Sequence, residues 1–121
     1  MKMGRRRKSY SAETGVSYQY FFVARRRVLR PEGQGPGNDY TFVVVADQGS
    51  PFTLRVFVSG RAVAAWRKVH GRELDSNEQY ALAKRRLFKG FDEHENVRRE
   101  CLSLIVDETN VEELLAPLDL T

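Results

Sequence analysis

The sequence contains a single cysteine, Cys101, among its 121 residues. One cysteine excludes an intrachain disulfide bond. Because Cys101 lies in the apolar run 101–106, we expect a buried, unreactive thiol rather than a nucleophile. The fold must therefore be stabilised by a hydrophobic core, and a chain of this length is long enough to form one in a single domain.

Long hydrophobic runs are also absent. No apolar stretch approaches the length of about 20 residues that a membrane-spanning helix needs. The basic N-terminus, which includes Lys2 and Arg5, is not followed by an apolar stretch of signal-peptide length. We therefore expect a cytoplasmic protein that has no membrane partner.

Residues with catalytic or metal-binding potential are few. His70 and His94 are the only histidines, and neither belongs to a metal-binding motif. We interpret the acidic cluster 92–95 around His94 as a solvated turn. We interpret Asp75 and Glu78 as capping residues at the start of a helix in preference to a catalytic acid and base. The sequence thus predicts no metal site, no cofactor and no enzymatic activity, although an enzyme built from scattered residues stays open as a third hypothesis.

Residues 1–15 lack periodic hydrophobicity, so we predict a disordered basic arm there and a single α+β domain over 16–121. Period-two alternation predicts the first strand from residue 17, with Tyr18, Tyr20, Phe22 and Ala24 on one face and arginines at its far end.

Two further strands are predicted over 40–46 and 52–58, with Phe57 facing away from the core. The Gly- and Pro-rich stretch 31–39 is predicted to be a flexible connection. It lacks the Gly-Lys-Ser/Thr ending of a phosphate-binding loop.

Two helices follow. Ser59 is a good N-cap for a helix over 61–70 that ends at Gly71. Asp75 and Glu78 resemble a capping box for a second helix over 76–91. A last strand over 101–106 and a helical turn over 109–115 complete the chain. We therefore predict a two-layer α+β fold of βββααβ order, in which an antiparallel sheet of about four strands carries a helix pair on one face and is followed by a short C-terminal helical turn.

Positive charge is the strongest functional signal. Residues 1–30 hold nine Lys and Arg against one acid, whereas residues 91–121 hold two Arg against nine acids. The candidate site residues form three sets, in the arm, at the end of the first strand and on the second helix: Arg5, Arg6, Arg7, Lys8; Arg25, Arg26, Arg27, Arg30; and Lys84, Arg85, Arg86, Lys89. On the helix we expect Arg85 and Lys89 to project away from the docked face.

These cations predict a non-enzymatic nucleic-acid-binding accessory domain, because a basic arm and a basic helix face can neutralise phosphate groups without reading sequence. Tyr10, Tyr18 and Tyr20 could stack on unpaired bases, although aromatic residues in a strand more often pack in the core.

The alternative is a protein-interaction or regulatory module whose basic surface serves solubility. Such a module would bind another protein or its own copy through a sheet edge, or through Phe21, Phe57 and Tyr40 if they are exposed.

Overall fold

The computed structural model describes residues 7–30, 33–47, 49–100 and 103–120. In chain order the elements are strands β1 (Lys8–Ser11), β2 (Ser17–Arg30), β3 (Gly35–Ala46) and β4 (Phe52–Ser59), helices α1 (Gly60–His70), α2 (Ser76–Glu93) and α3 (Val97–Glu100), strand β5 (Leu104–Val106), helix α4 (Val111–Leu115) and a 3-10 turn (Ala116–Leu118). The predicted α+β class is confirmed. None of the helices in these ranges is long and apolar enough to cross a membrane.

The five strands form one curled sheet in the order β1-β2-β3-β4-β5. The first three pairings are antiparallel, whereas β5 runs parallel to β4, with Val56 opposite Leu104. The predicted antiparallel sheet of about four strands is therefore corrected to a mixed sheet of five. A parallel pair needs a crossover of a dozen residues or more, and α1, α2 and α3 provide it.

The additional strand is β1, which lies within the predicted disordered arm over 1–15. It pairs antiparallel with the start of β2. Tyr10 stacks on Phe88 of α2, with ring centroids 4.2 Å apart, and donates a hydrogen bond of 2.6 Å to the Asp92 carboxylate. Burial, and then this hydrogen bond, raise the pKa of Tyr10 to about 12. Within the predicted arm, residues 8–11 therefore form a strand that pairs with β2 and contacts α2 through Tyr10.

The predicted flexible connection over 31–39 is shorter in the structure, since β3 begins at Gly35. The pairing of β2 with β3 continues to Arg30 opposite Gly35. An ion pair of 2.9 Å between Arg30 and Asp39 joins the two strands near this end. The hairpin therefore projects well beyond the region that β1 covers.

Both main helices begin and end close to the predicted residues. The Ser59 hydroxyl accepts a hydrogen bond of 3.1 Å from the Ala62 amide, and Gly71 ends α1 in the left-handed region with φ of +78°. Asp75 and Glu78 form the predicted capping box of α2. These short-range signals are decisive because they satisfy backbone groups that the first and last helical turns leave free.

The core lies between the concave face of the sheet and the helices. Trp66 of α1 and Leu82 and Leu87 of α2 are fully buried in it. Tyr18 stacks on Phe91 at the end of α2, with ring centroids 3.9 Å apart. Helix α2 thus lies along the curl of the sheet, with β1 on one side and β5 on the other.

The C-terminal part differs in detail from the prediction. The last strand covers only Leu104–Val106, after helix α3. Cys101 lies outside the described residues. Helix α4 ends at Leu115, and Pro117 lies in the 3-10 turn that follows. The helical conformation therefore continues through Pro117 as a 3-10 helix instead of stopping before it.

Candidate functional site

A β-bulge in β2 determines which side chains reach the concave face. Phe22 pairs with Phe42, but the next pair is Ala24 with Thr41, so Val23 is an extra residue. Side chains alternate between the faces of a strand, and an extra residue reverses that alternation beyond it. The prediction that Ala24 shares a face with Phe22 is therefore wrong, and Ala24 is exposed.

The reversal turns two arginines towards the helices. Arg25 pairs with Tyr40 and Arg27 pairs with Asn38. Directly paired residues lie on the same face of a sheet, and Tyr40 belongs to the core. Arg25 and Arg27 therefore point to the concave face, whereas Arg26 points to the convex face.

These two arginines line a groove with a volume of about 640 Å³ between the β2–β3 hairpin, α1 and the start of α2. We call it the arginine groove. Its polar lining side chains are Arg25, Arg27, Asn38, Arg67, Glu73 and Gln79.

The three guanidinium groups of the groove are exposed and form no ion pair with a described residue. No carboxylate in the described ranges lies within 4.0 Å of Arg25, Arg27 or Arg67. Glu73 is the one acid among the described residues that line the groove. The arrangement therefore keeps three positive charges available to an anion.

The Tyr40 hydroxyl lies close to Arg25. Tyr40 is only 1% exposed, and its hydroxyl has no hydrogen-bond partner among the described residues. Burial raises the pKa of Tyr40, and the neighbouring Arg25 opposes that rise. The Tyr40 hydroxyl and Arg25 are thus neighbours at the arginine end of β2.

Two lysines extend the positive surface along the gap between β2 and α2. Lys8 pairs with the buried Tyr20 and so faces the concave side. The Lys84 amine lies 5.3 Å from the centre of the Tyr80 ring. Burial, and then the nearby ammonium of Lys8, lower the pKa of Lys84. The two like charges are thus close enough to repel each other.

Aromatic contacts join this lysine pair to the arginine groove. The Tyr80 ring lies 5.1 Å from the ring of Phe22 and 6.4 Å from that of Tyr40, centre to centre. Tyr40 is next to Arg25. We call the positive side chains that these contacts link on this face the cationic seam: Lys8, Lys84, Arg25, Arg27 and Arg67.

The other predicted cations lie elsewhere. Arg30 pairs with Asp39 and lies 4.7 Å from the centre of the Phe57 ring on the convex face. Arg7 is exposed and donates a hydrogen bond of 3.2 Å to Gln19. Arg5 and Arg6 lie outside the described residues.

The cations of α2 are less open than predicted. Lys89 pairs with Glu113 at 3.1 Å, and Arg86 Nε donates to the Ile105 carbonyl at 3.2 Å. Arg85 is half-buried, and its Nε has no partner in the described ranges. The expectation that Arg85 and Lys89 project freely into solvent is therefore corrected, because β1 and β5 flank the helix on both sides.

Of the three tyrosines considered for base stacking, two belong to the core and the third packs against it. Tyr18 and Tyr20 are 1% and 3% exposed, and Tyr10 stacks on α2. Tyr18 and Tyr20 therefore cannot offer a ring face to an unpaired base. Phe57, which could have served a protein interface, is also fully buried.

Sequence reasoning missed Arg67. Its position near the end of α1 is typical of a cation that favours the helix dipole. A Cβ at Gly60 would lie only 3.2 Å from the Pro36 carbonyl, which shows how closely the start of α1 approaches β3. Only this approach of α1 to the hairpin places Arg67 in the groove, and no local sequence signal reveals it.

One acid of the cluster 92–95 has a structural role. Asp92 accepts hydrogen bonds from Tyr10 and from the Glu13 amide, the latter at 2.9 Å. Within the described ranges, no three metal-ligating side chains converge.

Comparison with protein-family models, with curated proteins and with solved structures gives no match. The cationic seam is therefore the feature of this protein that bears on its function.

Proposed function

We propose that this protein is a non-enzymatic nucleic-acid-binding domain whose cationic seam contacts the phosphate backbone. The observation that carries the proposal is the convergence of Arg25, Arg27 and Arg67 in one groove where no described carboxylate pairs with them. Lys8 and Lys84 continue the same surface, and their mutual repulsion is relieved when a phosphate lies between them. Neutralising phosphates releases counterions and makes binding strongly dependent on salt.

This surface differs in composition from the one the sequence indicates. Of the arm, Lys8 contributes, and of α2, Lys84 contributes. The far end of β2 supplies Arg25 and Arg27, while Arg26 and Arg30 lie on the opposite face. The interface is therefore a concave surface between sheet and helices rather than an arm and an open helix face.

A charge-matched pair of triple variants tests the proposal. The first replaces the groove cations, as Arg25→Gln, Arg27→Gln and Arg67→Gln. The control replaces three exposed arginines outside the groove, as Arg26→Gln, Arg55→Gln and Arg61→Gln. Both lower the net charge by the same amount, so a difference between them reports position rather than total charge.

The measurement is fluorescence anisotropy with labelled oligonucleotides between about 50 and 200 mM salt. We expect the groove variant to bind weakly. The slope of log K against log salt should become shallower by about 2 to 3, because each of the three lost phosphate contacts contributes about 0.7 to 0.9. The control variant should retain most of the wild-type slope. Absence of binding by the wild-type protein at low salt, or equal losses in both variants, would exclude this function.

One observation favours the alternative, the docking of another chain on a sheet edge. Strand β1 pairs only with residues 17–20 of β2. In the described sheet, β2 beyond Tyr20 has β3 as its single neighbour. Unpaired edges can accept a further strand. Arg25, Arg26 and Arg27 occupy this edge, so two copies pairing there would bring like charges together, which favours a polyanion over a second copy.

A further inference from the structure

The shape of the arginine groove distinguishes between forms of nucleic acid. A duplex is read by an element that projects into one of its grooves. Here Arg25, Arg27 and Arg67 line a concavity of about 640 Å³ instead. This volume lies in the range of about 300 to 1,000 Å³ that encloses a molecule of drug size, which is the scale of one or two nucleotides.

Two side-chain amides in the groove can contact a base. Asn38 pairs with Arg27 on the concave face, is half-buried, and makes no side-chain hydrogen bond to any described residue. Gln79 donates from Nε2 to the Leu74 carbonyl at 3.1 Å, which leaves its Oε1 free to accept. Amide side chains are well suited to the hydrogen-bonding edges of bases, whereas arginines at such sites also hold phosphates.

Glu73, the acid in the groove, affects which base the groove can bind. Glu73 is exposed and lines the same wall as Gln79. A carboxylate repels phosphate, but it accepts hydrogen bonds from the exocyclic amino group of a base such as cytosine. Glu73 and the Gln79 oxygen are both acceptors, so the groove favours bases that carry an amino group.

From these features we infer that the arginine groove takes one or two unpaired nucleotides of a single strand, and that Asn38, Glu73 and Gln79 contact the base. This inference rests on the proposed function, and it specifies the class of ligand. The guanidinium planes of the groove supply the stacking surface, because no aromatic side chain of the described residues lines it.

The test compares four labelled probes of equal length: single-stranded oligodeoxycytidylate, oligodeoxyadenylate and oligothymidylate, and a DNA duplex. Binding is measured by anisotropy at one low salt concentration. We expect each single strand to bind more tightly than the duplex, and the cytosine and adenine strands to bind about 5- to 150-fold more tightly than the thymine strand.

Three variants identify the base contacts. Asn38→Leu, Gln79→Leu and Glu73→Gln should each reduce the preference for cytosine or adenine over thymine while leaving the salt slope unchanged, since none of them holds a phosphate. Gln19→Leu removes an exposed amide on β2 and should retain the preference. Glu73→Gln alters only an exposed side chain, so its result stands even if a variant at half-buried Asn38 loses its fold by circular dichroism.

The outcomes separate the two proposals. If the wild-type protein binds none of the four probes, the proposed function itself fails. If it binds the duplex as tightly as the single strands, or if the three groove variants keep the wild-type base preference, nucleic-acid binding stands and the single-strand groove is wrong.

Discussion

At the scale of single residues, Gly37 permits the closest backbone approach near the arginine groove. A Cβ built at this position would lie 2.5 Å from the Val58 carbonyl oxygen and 2.7 Å from the Phe57 ring. These contacts are too short for real atoms, and the nearer partner is backbone. Glycine is therefore needed here for space, in a stretch whose composition alone indicates a flexible loop.

We predict that Gly37→Ala lowers the free energy of unfolding by about 1 to 3 kcal/mol, because β3 and β4 must separate to admit the methyl group. Gly49→Ala is the matched control, since its added Cβ would lie 3.2 Å from one carbonyl in an exposed turn. Urea unfolding of the two variants and the wild-type protein measures the difference. Equal stability of Gly37→Ala and Gly49→Ala would show that the strands adjust freely.

Phe57 shows what could not be predicted at this scale. Alternation correctly places it on the face opposite Val56 and Val58, but it is fully buried there. The Gly37 backbone and the Arg30 guanidinium cover it. Burial on the second face depends on partners distant in sequence, which alternation within one strand does not reveal.

At the scale of elements, the start of α2 combines two helix caps with an ion pair. Asp75 Oδ1 accepts from the Glu78 amide at 2.8 Å, and Glu78 Oε1 accepts from the Asp75 amide at 2.9 Å. Arg72 donates to both oxygens of Glu78 at 2.9 Å. The Arg72 hydrogen bonds, and then the Asp75 amide, lower the pKa of Glu78 to about 2.

This lowered pKa predicts an acid-dependent contribution to stability. A carboxyl group whose pKa is lower in the folded state stabilises the fold above its unfolded pKa of about 4.3, and loses that effect as the pH falls towards 2. Glu78→Gln should therefore be less stable than wild type by about 1 kcal/mol at pH 7, and the gap should close near pH 2.

Urea midpoints over this pH range measure the effect. Glu93→Gln serves as the control at the other, exposed end of α2 and should not reproduce the pH dependence. A gap between Glu78→Gln and wild type that stays constant down to pH 2 would contradict the role assigned to the ionised carboxylate.

Helices were predicted better than strands for a physical reason. The ends of α1 and α2 are encoded by residues within one turn, such as Ser59, Gly71 and Asp75. The bulge at Val23 has no comparable local signal, because Phe22, Val23 and Ala24 all suit a strand. It arises where β2 follows the curl of the sheet, and it determines which arginines face the helices.

At the scale of the whole molecule, charge is separated along the fold. The arginine groove lies at the projecting end of the β2–β3 hairpin, whereas Glu112 and Glu113 lie on α4, where they pair with His70 and Lys89. The acidic C-terminal part therefore pairs with Lys89 among the predicted cations, and no described carboxylate forms an ion pair with the seam. The existence of a basic surface could be predicted from charge counts. Which cations form that surface could not, because it depends on which of them pair with the protein's own carboxylates in the fold.

The lysine pair of the seam predicts a compromise between stability and binding. Lys8 and Lys84 approach each other without a described carboxylate in ion-pair contact with either. Proteins retain such repulsion where function needs the charge. Lys8 is exposed on an edge strand. Removing its charge should therefore stabilise the unbound protein, because the repulsion of Lys84 is lost, and should weaken the nucleic-acid complex.

We predict that Lys8→Gln raises the pKa of Lys84, because burial alone then opposes its ionisation. The free energy of unfolding at neutral pH should rise by up to about 0.5 kcal/mol, the size of a like-charge contact at a surface. The slope of log K against log salt should become shallower by about 0.7 to 0.9, which is the contribution of one phosphate contact. Titration of the labelled Lys84 amine by NMR, urea unfolding and anisotropy measure these three effects, with Lys68→Gln on α1 as the stability control. If Lys8→Gln left the pKa of Lys84 unchanged, the two ammonium groups would not be neighbours in solution, and the seam would be confined to the arginine groove.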